Sequence, residues 1–309
     1  MSSVQKTTVD WFRFRTQADP GQVLEGLKPM FGRLGGRLRL GNYGRGCLGF
    51  RHSIPLMVDD MSVGRCDFGG DSQRGWTRVD VPGKGCAQVE DWDALEAVES
   101  LPRAELSRLD LALTTWRNEV NHAMVKAAHE NGRFTTCGRP PNLESRLNSD
   151  RRKGQTLYVG ARTAHKFFRA YTKGFELVSK FNLPGVCVSI DGFPIEDIYR
   201  CEMEFKNKDA DLPWEMVDRR DQYFAGSYPF CADILPGIEA DILQRRPEKG
   251  PQRDLLAALA NCRAQYGATL YTALRAYGGD IGAVWDKVVG DKHNPALLEA
   301  GVLLYEHEQ

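Results

Sequence analysis

Two glutamates one residue apart, Glu202 and Glu204, stand in the segment Tyr199-Arg-Cys-Glu-Met-Glu-Phe-Lys206. Side chains along a strand point to opposite faces in turn. Arg200, Glu202, Glu204 and Lys206 therefore share one face, and Cys201, Met203 and Phe205 make an apolar one. Like charges so close repel unless a cation lies beside them. Arg200 and Lys206 could serve as plain salt-bridge partners. A divalent metal could serve too, because hard ions such as Mg²⁺ and Mn²⁺ take oxygen ligands. A second segment, Ser107-Arg-Leu-Asp-Leu-Ala-Leu113, sets Leu109, Leu111 and Leu113 against Arg108, Asp110 and Ala112. Aspartate is depleted in strands, which singles out Asp110. A third, Phe167-Phe-Arg-Ala-Tyr-Thr-Lys173, puts Arg169, Tyr171 and Lys173 on one face. A buried tyrosine is ordinarily a packing residue. Side by side, however, the three strands would assemble a set suited to one reaction. The Tyr171 hydroxyl would attack a phosphodiester, a metal on Asp110, Glu202 and Glu204 would polarise it, and Arg169 and Lys173 would offset the developing charge. Tyr158, Tyr199 and Tyr223 are fallback nucleophiles, and Tyr158 alternates with Leu157 and Val159 so that it too could face the site.

The elements that must position these residues are legible in outline. Val9–Arg15 reads as an opening strand and Pro20–Phe31 as a helix with Pro20 near its start. Cys47–Ile54, Met61–Phe68 and Gly75–Val81 read as strands joined by turns, including Gly69-Gly70 and Pro82 to Gly85. Asp91–Leu101 reads as a helix, Leu106–Thr115 as a strand, and Asn118–Asn131 as a helix stopped by Gly132. Thr135–Gln155 reads as a long basic loop. Strands follow at Thr156–Ala161 and Lys166–Thr172, with a short turn at Arg162–His165 that makes His165 a surface-turn residue. A helix is expected over Gly174–Phe181 and a strand over Ile198–Lys206. Helices are then expected at Trp214–Ala225, Pro229–Leu243, Gln252–Tyr277, Ile281–Val289 and Pro295–Leu304. No repeat is visible. The pattern is α+β: a mixed or antiparallel β-sheet domain with packed helices, residues 1–244, then a mostly helical C-terminal region, residues 245–309.

Composition narrows the classes. The 309 residues carry 41 basic and 41 acidic side chains, so the chain is not an indiscriminate DNA coat. Basic residues are nevertheless clustered, at Arg33–Arg51 and Arg133–Arg152, as a localised polyanion track would need. The eight cysteines include no Cys-x-x-Cys pair, and the six histidines no His-x-His pair. That argues against a zinc ribbon, a redox pair and a histidine-paired metal. Gly44-Arg-Gly-Cys-Leu-Gly49 matches a dinucleotide fingerprint but leads towards Pro55 and another strand, not a helix. No phosphate-binding loop of the G-x-x-x-x-G-K-[ST] type occurs, so the chain brings no motor. No apolar run reaches the ~20 residues of a membrane span, and Met1–Arg15 lacks the pattern of an export signal. A reduced, cytoplasmic protein is expected.

Val9-Asp-Trp-Phe-Arg-Phe14, Arg108-Leu-Asp-Leu-Ala112, Thr156-Leu-Tyr-Val-Gly160, Arg169-Ala-Tyr-Thr-Lys173 and the Tyr199–Lys206 segment resemble, in order and spacing, the replication initiation factor family. That family includes initiators of rolling-circle plasmids and replication proteins of filamentous phages. The resemblance covers roughly residues 9–210. It implies metal-dependent nicking and rejoining of one origin strand through a 5′-phosphotyrosyl intermediate, with Tyr171 as nucleophile. Asp110, Glu202 and Glu204 become ligands of Mg²⁺ or Mn²⁺, and Arg169 and Lys173 phosphate contacts. Thr172 departs from the Asn or Asp that many relatives carry after the tyrosine. Origin DNA is the expected partner, gripped by Arg37, Arg39, Arg45, Arg51, Arg74, Arg108, Arg151, Arg152 and Lys206. A host helicase and polymerase would extend the free 3′ end, and the C-terminal helices would read the origin or form a homodimer. A conjugative relaxase would use the same chemistry. A non-catalytic DNA-binding regulator would need the placement of Tyr171 among the acids to be accidental.

Overall fold

The computed structural model describes residues 5–136, 138–150, 154–181, 183, 188–208, 210–244, 255–295 and 297. The chain divides into two compact units, Met1–Arg245 and Arg246–Gln309.

The first unit is built on one sheet. Its strands are β1 (Thr8–Thr16), β2 (Leu38–Leu40), β3 (Gly44–Arg45), β4 (His52–Val58), β5 (Met61–Phe68), β6 (Thr77–Pro82), β7 (Glu105–Thr115), β8 (Leu143–Leu147), β9 (Gln155–Val159) and β10 (Lys166–Thr172). A separate small hairpin pairs β11 (Ser189–Ile190) with β12 (Phe193–Pro194), and β13 (Tyr199–Lys206) completes the main sheet. Every pairing is antiparallel. The order is β2-β4-β5-β6-β1-β7-β13-β10-β9-β8, with β3 beside β4.

That order is palindromic about the central β1–β7 pair. In each half a long strand is followed by a helix, an edge strand, a hairpin and a strand that returns beside the first. A repeat is thus present in the connectivity, although none is visible in the residues. Alternation of apolar side chains suffices to specify such a sheet, and it leaves residue identity free.

One face of the sheet is apolar throughout. Phe12, Phe14, Leu109, Leu111, Phe168, Met203 and Phe205 are almost fully buried there. They pack in one core with Val23 and Leu27 of α1 (Pro20–Leu27), Cys86 of the single-turn α2 (Gly83–Cys86), and Val98 of α3 (Glu96–Glu99). Val125 of α4 (His122–Glu130) joins the same core. Helices on one face of an antiparallel sheet are the α+β arrangement expected. Helix α1 starts where Asp19 accepts from the Gly21 and Gln22 amides while Gln22 accepts from the Asp19 amide, a capping box ahead of Pro20.

Some elements differ from expectation. The long basic loop contains β8, whose Glu-Ser-Arg centre has no apolar alternation to betray it. Asp91–Leu101 and Trp214–Ala225 break into short turns of 3-10 and α-helix, the latter ending in α6 (Arg220–Ala225). Pro229–Leu243 is helical only over α7 (Pro229–Asp233) and then turns at Gly237, whose φ is +83°. Gly44–Gly49 runs from β3 towards β4 with no helix after it. His165 lies in the β9–β10 turn but is buried.

The second unit holds α8 (Leu255–Ala276) and α9 (Ile281–Val288), joined through Gly278 and Gly279 at positive φ. The expected helix over Pro295–Leu304 falls largely outside the described residues, as do Arg151 and Arg152. Among the described residues no helix is long and apolar enough to cross a membrane.

Candidate active site

Strands β7, β13 and β10 are consecutive in the sheet, so the three chemistry-bearing segments do lie side by side. Register fixes who meets whom. Glu204 pairs with Asp110 and Glu202 with Ala112 across β13–β7; Arg169 pairs with Glu202 and Tyr171 with Arg200 across β10–β13. All six predicted catalytic or ligand residues contribute to one face or its rim. Lys173 does so from an unexpected place, the first turn of α5 (Lys173–Lys180). That helix can begin at once because residue 174 is glycine. A Cβ there would fall 2.0 Å from the Ile195 carbonyl oxygen.

The Tyr171 hydroxyl donates to Glu202 Oε1 at 2.6 Å and accepts from Lys173 Nζ at 3.3 Å. Glu202 is buried, and Arg169 Nε donates to its other oxygen at 2.7 Å. Burial, reinforced by the Glu202 charge and hydrogen bond, holds the Tyr171 phenol well above its ordinary pKa. A phenol in that state is a poor nucleophile unless a base takes its proton. Burial, with Arg200 nearby, pushes the Lys173 ammonium the other way, below its usual range. Lys173 also pairs with Glu176. Arg200 is held by Thr114 Oγ1 at 2.8 Å and Asp10 Oδ1 at 2.9 Å.

Asp110 and Glu204 share one arginine. Arg108 donates to both Asp110 oxygens, at 2.8 and 2.6 Å, and to Glu204 at 3.1 Å. Lys206 pairs with Glu204 as well. Burial raises the Asp110 carboxyl from its ordinary 3.8 to about 6; Arg108 opposes the shift, while Glu204 and Glu202 add to it.

The donor type suits a hard cation. The present arrangement does not converge on one, since each carboxylate is turned to a guanidinium or ammonium. Among the described residues no group of three or more His, Cys, Asp or Glu side chains could hold a metal ion.

A cleft of about 1070 Å³ opens over this face, lined by Asp10, Lys84, Tyr158, Arg169, Tyr171 and Lys173 among others. Asp110, Glu202 and Glu204 are not on its wall. Tyr199 is buried on the core face and Tyr223 hydrogen-bonds Glu215, so of the fallback nucleophiles Tyr158 alone lines the cleft. Sequence reasoning missed Asp10 and Glu176. Asp10 carries the signal that singled out Asp110, an aspartate inside a strand. The arginines expected to grip DNA mostly lie elsewhere. Arg37 is engaged with Asp59, Arg39 with the Asp59 carbonyl and Asp60, and Arg51 with Asp71 at 3.9 Å. Arg45 is exposed on β3, and Arg74 stands at φ +51° after a single 3-10 turn.

Comparison with known proteins bears on this site. Residues 104–248 match the replication initiation factor family, and that span contains β7, β10, α5 and β13. The Val9–Phe14 piece of the resemblance precedes the matched span. Among solved structures, the rolling circle replication initiator protein from Geobacillus stearothermophilus is similar, with a TM-score of 0.52 and 18% identity. The match covers 81% of this chain and 89% of that one, and at that identity it speaks for the fold. A search of curated proteins gives no match. The matched segment contains every predicted catalytic and ligand residue, while the cleft also draws on Asp10 and Lys84 from the half of the sheet that precedes it.

Proposed function

We propose that the protein initiates rolling-circle replication by nicking one strand of an origin and later rejoining it, with Tyr171 as nucleophile. The observation that carries this reading is the 2.6 Å hydrogen bond from the Tyr171 hydroxyl to Glu202, beside Arg169 and Lys173, at the wall of an open cleft. A tyrosine on the far face of the sheet from the acids would have favoured the regulator.

In the nicking step the Tyr171 proton passes to Glu202 and the phenolate oxygen bonds the scissile phosphorus. The P–O3′ bond breaks, and the departing 3′ oxygen takes a proton from solvent. The protein is left joined to the 5′-phosphate, which keeps the energy of the broken bond. Rejoining runs the same steps backwards: a 3′-OH attacks the phosphotyrosine and Tyr171 regains its proton. Arg169 and Lys173 face the charge that builds on the non-bridging oxygens. As they stand the carboxylates do not fit a divalent metal; Asp110, Glu202 and Glu204 would have to leave Arg108, Arg169 and Lys206 to hold Mg²⁺ or Mn²⁺, which would supply Lewis-acid polarisation of the phosphate. Origin DNA is the partner, and a host helicase and polymerase would use the free 3′ end in the cytoplasm. The same chemistry would serve a conjugative element.

The test is a nicking assay on supercoiled DNA carrying the element's own origin, with Mn²⁺, Mg²⁺ or EDTA. A covalent adduct on a denaturing gel, lost with EDTA and in Tyr171→Phe, is the expected result. An adduct that persists in Tyr171→Phe moves the nucleophile to Tyr158. Tight origin binding with neither nick nor adduct makes the protein a regulator.

A further inference from the structure

Beside the catalytic cleft lies a second one of about 600 Å³. Tyr158 lines both. Its ring and that of Phe167 run nearly parallel, 17° apart with centroids at 5.6 Å. The pair is diagonal across the β9–β10 hairpin, on the same face as Arg169. Two exposed arginines from neighbouring segments cover these rings. The Arg146 guanidinium from β8 stands 5.1 Å from the Tyr158 centroid, and that of Arg162, in the β9–β10 turn, stands 5.5 Å from both rings. Arg146 falls within the basic Arg133–Arg152 segment, but neither arginine is among the residues named above as DNA contacts.

From this we infer that Tyr158, backed by the buried Phe167 ring and flanked by Arg146 and Arg162, forms a stacking subsite for a base of single-stranded DNA next to the scissile phosphate. The inference rests on the nicking reading above and adds the place where the strand is held. Three observations carry it. Tyr158 sits directly opposite Arg169 in the register, so the rings begin one strand-width, about 4.8 Å, from a proposed phosphate contact. A base and the phosphate of its own or the next nucleotide are separated on that scale. Every base has a π-face, and aromatic rings interleaved with guanidinium groups are the means by which single strands are held without a base-pairing code. Finally, Tyr158 is only half-buried and lines both clefts, with the buried Phe167 ring behind it, whereas aromatic pairs that serve packing alone are both covered by the core. A cross-strand pair kept only for hairpin stability would need neither the arginine layer nor the opening.

The experiment uses the full chain in a Tyr171→Phe background, so that DNA is bound and not cut. The probe is a short oligothymidylate with one 2-aminopurine, moved along it position by position. Binding is read by anisotropy and stacking by quenching of the fluorescent base. One position should be strongly quenched with Tyr158 and with Tyr158→Phe. Tyr158→Leu, which keeps an apolar strand residue, should abolish that quench and weaken binding roughly tenfold or more. The loss should persist at high salt, unlike that of Arg162→Gln. Equal quenching and affinity in Tyr158→Leu would overturn the subsite while leaving the nicking reading intact. Failure of the full chain to bind single strands at all would overturn both. Thermal unfolding of each variant separates loss of the ring from loss of the fold.

Discussion

On the half of the sheet made by β1 and β4 to β6, one buried acid is surrounded by cations. Asp80 accepts from Trp11 Nε1 at 3.0 Å and pairs with Arg13, Arg78 and, at 3.7 Å, Arg65. On the other half three carboxylates lie close together and are paired one by one: Asp110 and Glu204 share Arg108, Glu204 also pairs with Lys206, and Glu202 pairs with Arg169. Burial pushes both aspartates upward. At Asp80 the arginines more than offset it, so its carboxyl falls below the ordinary value, while Asp110 rises to about 6. The halves also differ at the strand beyond. In β5, Arg65 and Asp67 occupy the polar face, whereas β10 presents Phe167, Arg169 and Tyr171. One topology thus carries two solutions. The first half makes a wall with three arginines gathered on Asp80; the second sets three carboxylates, each paired with a cation, beside a tyrosine. Clustered buried carboxylates are costly in a purely structural element, and perturbed groups concentrate at functional ones.

The largest expected effect breaks the second half. Glu202→Gln removes the proton acceptor of Tyr171 and should slow adduct formation by about 10²–10⁴-fold in single-turnover assays. Arg65→Gln, on the first half, should leave the rate within a factor of about three. Equal slowing by both would mean that the halves share the chemistry. Next in size is a stability effect in the first half. Asp80→Asn leaves Arg13, Arg78 and Arg65 crowded without their counter-charge and should cost about 3–5 kcal/mol in urea unfolding. A cost under about 1 kcal/mol would show that these guanidiniums find other partners or water, and that the wall does not depend on Asp80.

How much of this was legible follows from the range of each signal. The strands that carry Asp110, Tyr171, Glu202 and Glu204 show strict alternation, and alternation depends only on residues two apart, so their existence and facing were readable. Their adjacency was a conjecture from chemistry. What closes the site comes from far away: Arg200 is held by Asp10, 190 positions distant, and no local pattern announces that pair. Lys173 was assigned to a strand because its parity matched; it reaches Tyr171 from a helix that Gly174 allows to start early. The basic cluster Arg33–Arg51 was misleading for a different reason. Its acids, Asp59, Asp60 and Asp71, lie just beyond the window and fold back on it. The basic Arg133–Arg152 segment was visible, but that Arg146 meets Arg162 over Tyr158 was not, because Arg146 reaches the ring from the unforeseen β8.

A third effect has opposite signs in the two halves. Asp80, whose folded pKa is depressed, contributes stability that is present above about pH 4 and is lost as pH falls through the folded value. Asp110 is raised, so the folded state holds its proton more tightly than the unfolded chain does. Its contribution is therefore greatest below about pH 4 and declines as pH rises towards 6. Unfolding free energies of the wild type minus those of Asp80→Asn should then increase with pH across the acid range. The corresponding difference for Asp110→Asn should decrease between about pH 4 and pH 6 and be flat above. Parallel curves would mean that Arg108 neutralises Asp110 as fully as the arginines do Asp80.

The smallest effect separates cations that face the cleft from cations already spent. Lys84 is exposed at the cleft wall, whereas Arg37 is committed to Asp59. Each phosphate contact on a single strand releases condensed counterions and contributes about 0.7 to the slope of log affinity against log salt. Lys84→Gln should lower that slope by about this amount, measured by anisotropy over a salt series with a short single strand. Arg37→Gln should leave the slope unchanged, because a guanidinium neutralised by a carboxylate has no counterion to displace from DNA. A drop in slope for Arg37→Gln would mean that DNA outcompetes Asp59. The track would then extend from the catalytic half past the central strands to the edge at β2, and the first half would be a binding surface as well as a wall.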